Sequence, residues 1–297
     1  MEMKKAFYSG FVSIIGRPNV GKSTLLNALV GEKISIVSDK PQTTRNRVTG
    51  ILTLPEAQVI FLDTPGLHKP KGRLNEYMVK VAKEACSEVD IVLFMAEADK
   101  NPGEAEKEII EFLKGLRTKV FLVINKIDLV QKDALLPLIN KYSSIYDFAE
   151  IIPVSSLKGK NLPDLRKTII DYLPEGPQYY PEDEMTEQPE RFIAAEIIRE
   201  KIFRMTKDEV PYSTAVLVEE MKEHGDKIYT RADIYVEKDS HKGIIIGANG
   251  QMLKKIGQAA RKDIERLLGS EIYLELWVKV KKDWREKPGA LREMGYK

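Results

Sequence analysis

The sequence predicts an α/β protein, a first domain with a mixed, mostly parallel sheet followed by a smaller α+β domain. Three observations carry this. From residue 11 to residue 172, apolar strand-like runs alternate with amphipathic helical ones, the pattern of strands covered on both faces by helices. The alternation stops at Pro174-Glu175-Gly176-Pro177 and the acidic Glu182-Asp183-Glu184, where prolines and charges replace periodicity. Beyond Pro189 the order becomes one helix, two strands, a glycine turn, a second helix and a last strand. The expected division is a first domain over 1–173, a linker over 174–188 and a second domain over 189–297. A chain of 297 residues is long enough for about two such cores.

Taken in order, residues 11–15 form a short apolar strand that leads through Gly16-Arg17-Pro18-Asn19-Val20-Gly21-Lys22-Ser23 into a helix at 22–30. Leu25, Leu26 and Leu29 mark that helix's apolar face. Residues 31–47 are polar, hold Pro41 and Gln42-Thr43-Thr44-Arg45, and read as a loop of functional length. Runs 48–54 and 57–62 are strands joined at Pro55-Glu56 as a hairpin. After Asp63-Thr64-Pro65-Gly66 come a helix at 73–85, a strand at 90–96, a helix at 102–115 and a strand at 119–124. A helix at 132–146, a strand at 150–154 and a helix at 161–172 complete the domain. Ligands of such sheets sit at the carboxyl ends of the strands, and four chemical motifs follow strands here.

The first motif, Gly-x-x-x-x-Gly-Lys-Ser between a strand and a helix, is a phosphate-binding loop. Its glycines let the backbone wrap so that N–H groups over Asn19, Val20, Gly21 and on to Thr24 face phosphate oxygens. Lys22 neutralises the outer phosphates, and the Ser23 hydroxyl suits Mg²⁺. A plain glycine turn accounts for Gly16 and Gly21 but not for Lys-Ser at that spacing. Asp63, at the end of the next strand, can hold the metal through water, and the Gly66 N–H can meet the terminal phosphate. In Asn125-Lys126-Ile127-Asp128, the Asp128 carboxylate can accept from guanine N1–H and the exocyclic amine. Adenine leaves that acceptor unpaired, a discrimination of about 10⁴-fold. Asn125 supports the loops, the Lys126 stem covers the ring, and Ser155-Ser156-Leu157 supplies loop N–H groups to the same base. The bland readings are a helix cap for Asp128 and a polar turn for Ser155–Leu157. Together the motifs select GTP over ATP.

In this order the motifs resemble those of the Ras-like, translation-factor-type GTPases. Gly-Arg-Pro-Asn-Val-Gly-Lys-Ser with Pro-Gln-Thr-Thr-Arg is similar to the bacterial Era family. The resemblance implies a GTP/GDP ligand with Mg²⁺, and a switch-loop threonine that closes over the metal. Thr44, beside the arginine, is the expected one, with Thr43 in reserve. Many Ras-like proteins carry glutamine after Asp-x-x-Gly; this chain has Leu67, which cannot orient water, so the expected intrinsic turnover is slow. In related GTPases an asparagine at the position of Asn19 helps hold K⁺ beside the phosphates. Asn19 is therefore a K⁺ ligand or merely tolerates the loop's backbone geometry.

In the second domain, residues 190–207 carry a wide helical apolar stripe, and 215–221 and 227–236 read as strands turning at His224-Gly225-Asp226. His224 and His241 have no second ligand at metal spacing and are read as loop residues. The isoleucine run 243–246, read as a strand, breaks at Gly247-Ala248-Asn249-Gly250, and an amphipathic helix continues to about Leu268. A last strand at 271–280 and a basic tail containing Trp284 follow. Ile-Gly-x-x-Gly ahead of a helix lets a sugar-phosphate backbone approach closely. Residues 238–297 hold 14 Lys/Arg against 8 Asp/Glu, whereas 181–237 hold 8 against 15, so positive charge gathers where phosphate contacts are needed. The string resembles the type II KH module. It points to Ile246, Gly247, Ala248, Asn249, Gly250, Lys254 and Lys255 as RNA contacts, while Trp284 packs or stacks on a base.

A GTPase domain followed by a KH domain is the Era arrangement. The resemblance implies a GTP-hydrolysing protein that binds small-subunit ribosomal RNA near its 3′ end and acts in small ribosomal subunit assembly. It would be a cytoplasmic monomer with, at most, weak peripheral contact to a membrane surface. The competing reading is a GTPase switch whose second domain docks a protein or membrane surface; a scaffold that holds GTP without turnover is a third. No apolar run is long enough to span a bilayer. Lys4 and Lys5 precede an apolar run that enters the phosphate loop, so the start reads as core rather than signal peptide. The single cysteine, Cys86, excludes an internal disulfide framework and reads as a packed thiol.

Overall fold

The computed structural model describes residues 6–297; Lys4 and Lys5 lie outside the described residues. Two compact units emerge, one comprising the chain up to Ser35, Thr44–Lys69 and Met78–Glu187, the other Ile36–Thr43, Pro70–Tyr77 and Gln188–Lys297.

The first unit holds a six-stranded sheet in the order β2-β3-β1-β4-β5-β6. Its strands are β1 (Tyr8–Gly16), β2 (Val48–Leu54), β3 (Ala57–Asp63), β4 (Ile91–Glu97), β5 (Lys119–Asn125) and β6 (Glu150–Pro153). Only the β2–β3 hairpin is antiparallel; the other pairings are parallel, so the sheet is mixed and mostly parallel, as expected. The helices of this part of the chain are α1 (Lys22–Val30), α2 (Arg73–Glu84), α3 (Glu104–Lys114), α4 (Leu135–Ser143) and α5 (Leu162–Tyr172). All seven residues of β4 are buried, which is why this strand reads as an unbroken apolar run rather than an alternating one. One core cluster joins Phe94, Leu122, Ile124, Ile110 and Leu113 with Cys86, a packed thiol. The expected 132–146 helix is shorter, a single 3₁₀ turn at Lys132–Ala134 followed by α4, because Pro137 is tolerated only near a helix start.

Residues 174–187 form a strap laid along this sheet. Ser9 N–H donates to the Pro174 carbonyl at 3.1 Å and Gly176 N–H to Phe7 at 3.0 Å. The Gln58 side chain, fully buried, accepts from Tyr179 N–H at 2.8 Å and Tyr180 N–H at 3.0 Å and donates to the Tyr180 carbonyl at 2.9 Å. Along the outer edge of β2, Ile51 N–H donates to Met185 at 2.8 Å and the Thr186 hydroxyl to Thr49 at 2.6 Å.

The second unit contains α6 (Glu190–Met205), β7 (Ala215–His224), β8 (Lys227–Val236), α7 (Asp239–Ile246), α8 (Gln251–Leu268), β9 (Glu271–Val280) and α9 (Pro288–Glu293). Its sheet runs β7-β8-β9, antiparallel then parallel. Ile256, Ala260 and Ile264, four apart on α8, put one face onto the core with Ile198, Ile202, Ile234 and Val278. Within this unit, Arg204 donates to the Val37 carbonyl at 3.0 Å and Arg199 to that of Thr43.

Two expectations change here. The isoleucine run before the glycine turn is the helix α7, not a strand: Ile245 is buried while Ile244 is exposed. The Gly247 N–H donates to the Gly243 carbonyl at 2.8 Å, a helical turn that prevails over the isoleucines' β-branching. His241 accordingly lies in α7, 2.8 Å from the Ser213 hydroxyl. Of the two readings offered for Trp284, packing is the one that holds. Trp284 is fully buried, donates to the Ser213 carbonyl at 2.8 Å and stacks on Tyr296.

Candidate functional site

The sequence of turns at the carboxyl ends of β1, β3, β5 and β6 builds the site. Strand β1 delivers Gly16, whose φ of 151° and whose missing Cβ, which would lie 2.6 Å from the Met95 carbonyl, demand glycine. The loop passes Asn19 at φ 65° and reaches Gly21, the N-cap of α1, at φ 101°. Lys22 is buried and folds back over the loop, donating to the Arg17 carbonyl at 3.0 Å. Burial pushes its ammonium down to about 8, against the pull of Asp63. A desolvated cation folded over the loop is suited to receive phosphate oxygens.

Asp63 ends β3 with no exposed surface. One carboxylate oxygen accepts from Ser23 at 2.6 Å, from Ser35 at 2.8 Å and from Thr44 at 3.5 Å. Its other oxygen is buried with no hydrogen-bond partner. Burial raises the carboxyl group, opposed chiefly by Lys22. Ser23 and Thr44 are 2.9 Å apart, whereas the Thr43 hydroxyl bonds the Lys40 carbonyl. Three hard oxygen donors converging beside an orphaned carboxylate oxygen fit Mg²⁺.

The 63–66 turn lies against the phosphate loop. A Cβ on Gly66 would sit 2.6 Å from the Pro18 nitrogen, and Leu67 N–H donates to the Gly16 carbonyl at 2.9 Å. The Leu67 side chain is buried in the apolar core, so it contributes packing and no polar group.

From β5, the Asn125 amide donates to the Val20 carbonyl at 2.8 Å, while its oxygen accepts from the Ser156 N–H and hydroxyl, each at 2.9 Å. Lys126, at φ 65°, reaches the Asn19 carbonyl at 2.9 Å. Asp128 is held below its usual range, first by the Ser155 hydroxyl that donates to it. Leu157 is exposed. The residues expected for phosphate, metal and base thus occupy one end of one sheet. Sequence reasoning missed Ser35, pinned by Asn27 accepting from its N–H at 2.9 Å. It also missed Glu106, which bonds Arg17 of the loop at 2.9 Å, and Glu97, paired to Lys126. The available signal for Glu97 was its place, an acid at the carboxyl end of a strand.

In the second unit α7 ends at Ile246 and the turn Ala248–Gly250 leads into α8. Gly247, Asn249 and Gly250 all have positive φ, at 70°, 50° and 75°. A Cβ at Gly247 would lie 2.7 Å from that of Met252, whereas at Gly250 nothing lies within 4 Å. Gly250 is the N-cap of α8, and Lys254 and Lys255 stand exposed on its first turns. The arrangement is a backbone cradle with adjacent positive charge.

A strand-end phosphate, metal and guanine constellation, followed by a helix-flanked Gly-x-x-Gly turn beside a three-stranded sheet, defines a P-loop GTPase that carries a KH domain. Family comparison agrees: residues 11–126 match the 50S ribosome-binding GTPase family and residues 209–285 the KH domain family. An Era structure in complex with MgGDPNP and nucleotides 1506–1542 of 16S ribosomal RNA is 47% identical, with a TM-score of 0.95, over 98% of this chain and 99% of that one. A variant of Aquifex aeolicus Era bound to GDP·AlF₄⁻ matches with the same identity, coverage and TM-score. The chain belongs to the Era family of GTPases.

Proposed function

We propose that this protein is a GTP-hydrolysing switch that binds small-subunit ribosomal RNA near its 3′ end and acts in small ribosomal subunit assembly. The observation that carries the reading is the pairing, on one chain, of the Ser23–Thr44–Asp63 oxygen set with the Gly247–Gly250 cradle. Support comes from the 47% identical Era that is complexed with MgGDPNP and nucleotides 1506–1542 of 16S ribosomal RNA.

In this reading Ser23, Thr44 and Asp63 would hold Mg²⁺, which would supply positive charge to neutralise the phosphates. Lys22 and the backbone of Asn19, Val20, Gly21, Ser23 and Thr24 hold the phosphates, and Gly66 N–H meets the terminal one. Asn125, Lys126, Asp128, Ser155, Ser156 and Leu157 form the guanine pocket. Leu67 orients no water, so intrinsic turnover is slow, and Asn19 would hold K⁺, which would supply the missing positive charge. Hydrolysis rates that are equal in KCl and NaCl would remove the K⁺ role. Ile246, Gly247, Ala248, Asn249, Gly250, Lys254 and Lys255 clasp the RNA backbone. The protein works as a cytoplasmic monomer whose relation to membranes is peripheral. Among the described residues no helix is long and apolar enough to cross a bilayer.

The test is RNA binding by the whole protein with GDP and with GDPNP at stated salt, beside Gly250→Asp. A new Cβ there meets nothing within 4 Å, but the φ of 75° strains any side chain, so Gly250→Ala is measured alongside to separate that strain from the added negative charge. Binding that depends on nucleotide and falls at least tenfold in Gly250→Asp is expected. Binding unchanged by the substitution would remove the RNA cradle and favour a protein or membrane surface as partner.

A further inference from the structure

The phosphate loop and the guanine motif are separate in sequence, yet Lys126 bridges them, and a residue outside both motifs governs that bridge. Glu97 closes β4, directly opposite Asn125 in the β4–β5 register. Its side chain is 7% exposed, and one oxygen takes the Lys126 ammonium while the other takes that of Lys100. Lys126 also donates to the Asn19 carbonyl at 2.9 Å. Both ends of that contact stand on left-handed backbone, at φ 65° in each residue, a conformation that a lysine adopts only when its surroundings hold it there. Burial alone would raise the Glu97 carboxyl group; the two hydrogen-bonded ammonium groups outweigh it and leave Glu97 ionised below its usual range.

Lysine gives up several rotatable bonds to lie in one place. The Asn19 carbonyl, a single neutral acceptor, cannot hold an ammonium against water. The buried carboxylate can, through a charge-assisted hydrogen bond. With Glu97 in place, the lysine stem is stretched between the strand end and the phosphate loop before any ligand arrives, a preorganised wall for the purine.

We infer that Glu97 is a positioning residue for guanine-nucleotide binding, fixing Lys126 as one wall of the base pocket and tying that wall to the phosphate loop at Asn19. The inference rests on the guanine-pocket reading above. Because the wall meets the base and not the γ-phosphate, Glu97 acts equally on GDP and GTP.

Equilibrium binding of fluorescent GDP and GDPNP to the full-length protein tests it. Glu97→Gln is expected to weaken both ligands by a common factor of about 10. Lys100→Ala, which removes the carboxylate's other partner, is expected to bind as the parent does. In a Lys126→Ala background Glu97→Gln should have no further effect, the non-additivity of residues acting through one contact. Parental affinity in Glu97→Gln, an undiminished loss in the Lys126→Ala background, or an equal loss in Lys100→Ala would each overturn the inference. Parental affinity in Lys126→Ala would instead overturn the guanine-pocket reading beneath it.

Discussion

The Asn125 side-chain amide donates to the Val20 carbonyl at 2.8 Å, so the base motif and the phosphate loop are already hydrogen-bonded to each other in the folded chain. With the two bonds from Ser156, one buried side chain satisfies three neighbouring groups. Asn125→Ala should destabilise the first unit by about 2–4 kcal/mol and weaken GDP binding, read as a lowered Tm and a raised Kd. Gly21→Ala reaches the same contact from the other side. Its methyl would lie 2.3 Å from the Asn125 amide nitrogen on backbone at φ 101°, so it should lose nucleotide affinity together with the Asn125–Val20 bond.

Lys22 makes binding depend on pH. In the ligand-free protein burial lowers its ammonium to about 8, whereas phosphate oxygens favour the charged form. Nucleotide affinity should be flat below about pH 8 and fall as pH rises beyond it, with a proton taken up on binding. The sign for stability is opposite. The unfolded lysine keeps its proton up to its ordinary range, so the ligand-free fold gains stability from about pH 8 upward. Calorimetry at pH 9 in two buffers of different ionisation enthalpy measures the uptake; a heat independent of buffer would contradict it.

Gln58 fastens the strap. Its replacement by alanine leaves the Tyr179 and Tyr180 N–H groups without their acceptor. Gln58→Ala should raise hydrogen exchange across 177–187 by about tenfold or more while leaving exchange in β4 and β5 unchanged.

Cys86 should be chemically silent. The thiol is buried, and burial raises it to about 11, so almost no thiolate exists at pH 8. Iodoacetamide should leave the native protein unlabelled and modify it fully in denaturant. Rapid native labelling would show that the core around Ala82 and Phe94 opens locally.

The fold class was legible because two unlike patterns meet at residues 174–188, and because fully buried central strands such as β4 can only be apolar throughout. The motifs were legible because phosphate, metal and purine chemistry prescribes residue types over short strings. What escaped depends on contacts between distant residues. Glu97 finds Lys126 only once β4 and β5 lie side by side, and Glu106 finds Arg17 across 89 positions. The helix α7 escaped for another reason: four residues of Gly-Ile-Ile-Ile are too few to show a period, and β-branching favours the wrong answer. The strap escaped because most of the groups it contributes are backbone N–H and carbonyl groups meeting distant partners such as Gln58, which composition does not reveal.

The lie of residues 185–186 along β2 also bears on how the first unit behaves alone. β2 is the outermost strand of its sheet, and bare outer strands recruit strands from neighbouring molecules. Here the Met185 carbonyl and Thr186 hydroxyl occupy donor and acceptor groups of Ile51 and Thr49. A fragment ending at Leu173 would present that strand uncovered and should self-associate in a concentration-dependent way, whereas one ending at Glu187 keeps its cover and should stay dispersed.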